Sequence, residues 1–98
     1  MIVVRNVFRL KFGTAKDAKA LMKEGLEIMK EMGMGESRVC TDLTGPFYTL
    51  VLENSWASLT AFEAALGNMG KEARWQAWYA KFGAIVESGY REVFTVMS

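Results

Sequence analysis

Apolar and polar residues alternate through residues 2 to 12, IVVRNVFRLKF. Ile2, Val4, Phe8, Leu10 and Phe12 share one parity, and Val3, Arg5, Val7, Arg9 and Lys11 share the other. A period of two with one apolar side predicts a half-buried strand. Asn6 is the only polar residue on the apolar side. After Gly13 the period changes. Ala18, Leu21, Met22, Gly25, Ile28, Met29 and Met32 recur at helical spacing, with Lys16, Lys23, Glu24, Glu27, Lys30 and Glu31 on the opposite side. That pattern predicts an amphipathic helix. Thr14 and Asp17 have the spacing of a capping box at its start, and Gly33 and Gly35 supply the stop.

SRVCTDL and FYTLVLENSW flank the Thr44-Gly45-Pro46 turn and read as the two strands of a hairpin. In the second run Tyr48, Leu50, Leu52, Asn54 and Trp56 share a face, opposite Phe47, Thr49, Val51, Glu53 and Ser55. Ser58 is a candidate N-cap for a second helix that turns Phe62, Ala65 and Leu66 inward. GNMG, residues 67 to 70, interrupts this helix. KEARWQAWYAKFGAIVE resumes it, with Trp75, Trp78, Phe82 and Ile85 along one stripe and Gly83 weakening the run. Ser88 and Gly89 turn into a last strand, YREVFTVM. The order is β-α-β-β-α-β. The fold class is therefore α+β: a ferredoxin-like plait, with a four-stranded antiparallel sheet and two helices on one face. Residues 1–98 form a single domain, since this length leaves no room for a second core.

Composition extends this picture. The chain is 51% hydrophobic, at or above the top of the ordinary range. The uncovered sheet face carries Val3, Val7 and the stems of Arg5, Arg9 and Lys11. A second subunit packed there would bury it, so a homodimer through the open sheet face is expected. The net charge of +1, with basic and acidic residues interspersed, argues against a nucleic-acid footprint and a polybasic membrane patch. No apolar run approaches the roughly 20 residues of a membrane span, and Arg5, Arg9 and Lys11 interrupt the N-terminal apolar stretch too early for a signal peptide. A single cysteine, Cys40, excludes an internal disulfide and fits a reducing cytoplasm. There is no histidine, so the usual general base, metal ligand and haem ligand are all missing. No metal site and no cofactor are expected.

Asn6, Leu10, Gly13-Thr14-Ala15-Lys16-Asp17, Trp56-Ala57-Ser58 and Ala61-Phe62 resemble the small antibiotic-biosynthesis monooxygenase group, including its haem-degrading branch. EARWQAWYAKFGAIVESGYREVF resembles the NIPSNAP family, whose last helix often carries a similar Trp-Gln-aromatic run. Both resemblances imply the dimeric α+β barrel superfamily. They imply two subunits packed sheet to sheet, with a ligand pocket between the sheet and the helices of each. In the haem-degrading branch a first-strand asparagine points into that pocket, and Asn6 matches it. The branch's histidine ligand and pocket tryptophan fall at Trp75 and Ala65, so haem degradation is not implied.

Asn6 is the sharpest candidate. An amide on an apolar face costs stability unless it is hydrogen-bonded. It either orients a substrate, as a tentative catalytic group, or bonds a buried backbone group or Asn54. Trp56, Trp75, Trp78, Tyr79 and Phe82 either line a cavity for a flat apolar ligand or fill the core. The expected ligand-binding set is Asn6, Tyr48, Trp56, Ala65, Trp75 and Tyr79, with Tyr48 or Tyr79 available as a proton donor. Cys40 lacks a histidine partner for thiolate chemistry. Arg74 could meet an acidic ligand or lie solvated beside Glu72. Two functions remain open. One is binding of a small apolar or aromatic molecule, extending to a cofactor-independent monooxygenase. The other is a non-catalytic, NIPSNAP-like homodimeric module.

Overall fold

The computed structural model describes residues 1–97. Strand β1 (Ile2–Leu10) is followed by helix α1 (Ala15–Glu31) and strands β2 (Ser37–Thr41) and β3 (Thr49–Trp56). Helices α2 (Leu59–Met69) and α3 (Ala73–Gly83) then lead into strand β4 (Val86–Thr95). The antiparallel sheet has the order β2-β3-β1-β4, which is the ferredoxin-like plait.

Alternation sorts the strands. Val4 and Leu10 of β1 and Leu50 and Leu52 of β3 are buried under the helices. From the other side, α1 contributes Ala18, Met22, Ile28 and Met29, and α3 contributes Trp78 and Phe82. Burying a side chain of this size stabilises by about 1.5–3 kcal/mol against leaving it in water. The opposite sheet face carries Val3, Val7 and Val51, half-buried, with Tyr90 and Phe94 exposed. Arg5 lies among them, 3.3 Å from Glu53 and 3.2 Å from Glu92.

Several boundaries differ from the sequence expectation. β1 stops at Leu10 rather than at residue 12, and Phe12 is 78% exposed. There the backbone turns out of the sheet, with Thr14 N bonded back to Lys11 O at 3.2 Å and Gly13 at φ +86°. Thr14 does not cap α1 with its side chain: its hydroxyl donates to Lys11 O at 2.6 Å. Ser58 does cap α2, accepting from Ala61 N at 3.1 Å. Gly83 ends α3 instead of merely weakening it. β4 starts at Val86, so Ser88 and Gly89 are strand residues and not a turn. The reason is packing. Gly89 pairs with Phe8, and a Cβ at Gly89 would sit 3.1 Å from the Phe8 ring.

The glycine-broken stretch separates two helices. The chain bends between Met69 and Ala73, and Lys71 N bonds Asn68 O at 3.2 Å while Glu72 N bonds Met69 O at 3.0 Å. This bend turns Leu66 and Met69 of α2 and Trp75 of α3 toward one space.

Candidate ligand-binding site

That space is a cavity of about 380 Å³ between the sheet and the helices. Asn6 and Phe8 of β1 and Leu52 and Asn54 of β3 form its floor. Met22 and Met29 of α1, together with Met34, form a thioether wall. Phe62, Leu66 and Met69 of α2 close a third side. Trp75, Trp78, Tyr79 and Phe82 of α3 form the aromatic wall, and Ser88, Gly89 and Arg91 of β4 complete the rim.

The aromatic wall is held by close fits. Trp78 is 2% exposed and stacks on Phe82 with centroids 5.1 Å apart at 9°. Its indole N–H donates to Leu21 O at 2.6 Å. The ring lies against Gly25 of α1, where a Cβ would approach Trp78 Cζ2 to 2.5 Å. Gly25 is therefore a notch cut for this tryptophan. Phe8 meets Phe82 edge-on at 5.0 Å and 87°. Trp75 leans on Trp78 at 4.8 Å and 31°.

The polar end is built across strands. Asn6 pairs in register with Arg91, and Arg91 Nε donates to Asn6 Oδ1 at 2.6 Å. The Arg91 guanidinium carbon lies 5.2 Å from the Phe62 ring centroid, a cation–π contact. Arginine only donates, so this bond fixes the amide with its oxygen toward Arg91. The expectation that Asn6 bonds either a backbone group or Asn54 is replaced by this pair. Asn54 is committed elsewhere. Its Oδ1 accepts from Trp56 Nε1 at 2.8 Å, and its Nδ2 lies 3.5 Å from Ser37 Oγ.

The six expected ligand residues divide evenly. Asn6, Trp75 and Tyr79 line the cavity. Trp56 stands behind its wall, bonded to Asn54 and packed on Phe62 at 5.6 Å. Ala65 lies on α2 outside the lining, which takes Leu66 and Met69 from that helix. Tyr48 sits beyond the cavity, 5.5 Å from Phe12 and 5.6 Å from Phe47. Arg74 is paired with Glu31 across the α1–α3 contact. The hydrogen bond it donates to that carboxylate raises its pKa above the ordinary arginine value. Cys40 is exposed on β2. Sequence reasoning did not single out Arg91. The signal was present only as an arginine sharing parity with Val93 and Thr95, on a strand whose two parities are equally mixed.

Comparison with known proteins places this geometry in a wider setting. The chain matches no family model, and no curated protein matches it in sequence. Solved structures do match. A NIPSNAP family protein from Agrobacterium tumefaciens superposes with a TM-score of 0.90 at 23% identity, over 99% of this chain and 88% of that one. Another from the same organism, described as of unknown function, gives 0.89 at 22% identity over 96% and 86%. An antibiotic biosynthesis monooxygenase gives 0.78 at 13% identity, with 100% of both chains covered. The chain thus shares its fold with NIPSNAP proteins and antibiotic biosynthesis monooxygenases.

Proposed function

We propose that this protein binds a small, largely apolar molecule, aromatic in body, in the cavity between its sheet and its helices. One observation carries the reading. A close-packed layer leaves about 380 Å³ open against an aromatic wall, with Asn6 and Arg91 converging at one end. Small-molecule sites typically enclose roughly 300–1,000 Å³, with apolar walls and a few placed polar groups. Asn6, Trp75 and Tyr79 are the ligand contacts among the residues first expected. Trp56 acts through Asn54 and Phe62 rather than by touching the ligand.

The working form is a homodimer formed through the open sheet face. The half-buried Val3, Val7 and Val51, with exposed Tyr90 and Phe94, give that face the apolar centre a symmetric interface needs. Among the described residues, no helix is long and apolar enough to cross a membrane. The single, exposed Cys40 supports a reducing cytoplasm as the compartment.

Binding is favoured over catalysis because the sequence contains no histidine to act as base. The similarity to a structure named as a monooxygenase keeps cofactor-independent oxygenation as the chemistry to assay. Trp75 and Trp78 report occupancy directly. Titration with flat aromatics and quinols should quench or shift their fluorescence and raise the melting temperature. Unchanged emission and melting temperature across the panel, up to solubility limits, overturn the binding reading. Oxygen uptake with any quinol that binds decides for the enzymatic form. Elution at monomer mass across concentrations overturns the dimer.

A further inference from the structure

The cations of this protein are not treated alike. Arg5, Arg38, Arg74 and Lys81 each pair with a glutamate. Arg91 pairs with no carboxylate among the described residues, yet it is held in place. Its Nε is tied to Asn6 Oδ1 at 2.6 Å, and its carbon lies 5.2 Å from the Phe62 ring. Both contacts are neutral. They aim the side chain without neutralising it. The nearest acidic residue in sequence, Glu92, faces the other side of the sheet and is bonded to Arg5 at 3.2 Å.

Committing Nε to Asn6 leaves the two terminal nitrogens of the guanidinium. Those two nitrogens present parallel N–H groups, the end that matches both oxygens of a carboxylate. Arg91 is exposed while also lining the cavity, so the charge sits at its mouth and keeps part of its hydration. The interior behind it is apolar and aromatic.

We infer that the occupant of this cavity is a planar aromatic acid, its ring against Trp75 and Trp78 and its carboxylate on Arg91. The inference rests on the ligand-binding reading above and sharpens it to a chemical class. Asn6 is a positioning residue: it holds Nε so that the terminal nitrogens face the ligand. The thioether wall of Met22, Met29 and Met34 adapts to the outline of the ring, because methionine is flexible and polarisable.

The test uses β-naphthoate and its uncharged methyl ester, titrated by calorimetry into the full chain and into Arg91→Gln and Arg91→Lys. The wild type should prefer the acid by about tenfold or more, the range for hydrogen bonds to a charged group. Raising salt should narrow that preference, since the pair lies at a solvated mouth. Arg91→Gln should abolish it, mainly by weakening the acid. Arg91→Lys keeps the charge but not the fork, and should fall between the two. If Arg91→Gln does not fold, the wild-type preference and its reduction in Arg91→Lys decide the matter. Equal binding of acid and ester to the wild type overturns the inference and leaves the cavity reading standing. A preference unchanged in both variants assigns the anion to another residue and also overturns it. Binding of neither probe overturns both readings.

Discussion

The layer between sheet and helices has two ends built from many of the same residues. At one end Trp78 fills the notch at Gly25, stacks on Phe82 and bonds Leu21 O, and Phe82 takes the edge of Phe8. At the other end Trp75, Phe62 and Asn6 border open space, and Arg91 stands over the opening. Protein interiors ordinarily pack to crystal-like density. A chain that can seat an indole against a glycine to within van der Waals contact can also fill a neighbouring void. Here it leaves one and sets a cation at its mouth, and the proposed ligand binding rests on that opening. The packed end is the rigid reference against which the open end is shaped.

The largest expected effect breaks the packed end. Trp78→Ala should lower stability by about 3–5 kcal/mol in urea denaturation, the range for emptying a buried tryptophan site. It also removes the second hydrogen bond that Leu21 O accepts, beyond the one within its own helix. Gly25→Ala should cost about 1–3 kcal/mol, because its methyl has no room beside the indole. Adding Gly25→Ala to Trp78→Leu should cost clearly less than in the wild type. Strict additivity would show that Gly25 matters to helix α1 for another reason.

Trp75→Ala probes the open end. Trp75 is only half-buried, so its loss should cost roughly half as much stability as that of Trp78. Its effect on binding should be proportionally greater, because it removes an indole that borders the open cavity. Thermal shift with a flat aromatic ligand separates the two: ligand-induced stabilisation should shrink by more than the loss of intrinsic stability explains. An undiminished ligand shift would move the site away from α3.

Much of the packed end was legible in the sequence, and little of the open end was. Period two in residues 2–10 and helical spacing in α1 fix which sides face the core, because burying apolar area dominates folding. Asn6 stood out as the one polar interruption of an apolar parity. Its partner did not. Arg91 meets Asn6 only through the β1–β4 register, a pairing across 85 positions that no local pattern encodes. Ala65 and Leu66 are adjacent on α2, and only the helix's rotation selects Leu66 for the cavity. The end of β1 falls short of the alternation for a related reason. Phe12 keeps the alternation, but Gly13 adopts a positive φ that takes the backbone out of the sheet.

Asn6→Val should barely change stability, within about 1 kcal/mol, since the lost bond is a half-exposed one and the new side chain suits the strand face. Binding of an aromatic acid should weaken, because Arg91 loses the contact that aims it. A loss of several kcal/mol in stability would instead make Asn6 a structural anchor.

The smallest effect belongs to the arginine on the other side of the sheet. Arg5 bridges Glu53 and Glu92, with side chains 38%, 24% and 37% exposed. Pairs this solvated contribute little, about 0–1 kcal/mol, and less in salt. Arg5→Met should therefore leave the unfolding of a dilute, monomeric sample nearly unchanged. In a dimer closed over this face the same network would be buried. Removing its cation would leave Glu92 without its partner and Glu53 with Arg38 alone, away from water, a costly arrangement. Arg5→Met should accordingly weaken subunit association far more than it weakens the fold, as sedimentation across a concentration series would reveal. Equal association of the two proteins would place the dimer contact elsewhere. On the helix side the contrast runs the other way: Arg91 pairs with no carboxylate among the described residues, so its replacement should register in ligand binding and hardly at all in assembly.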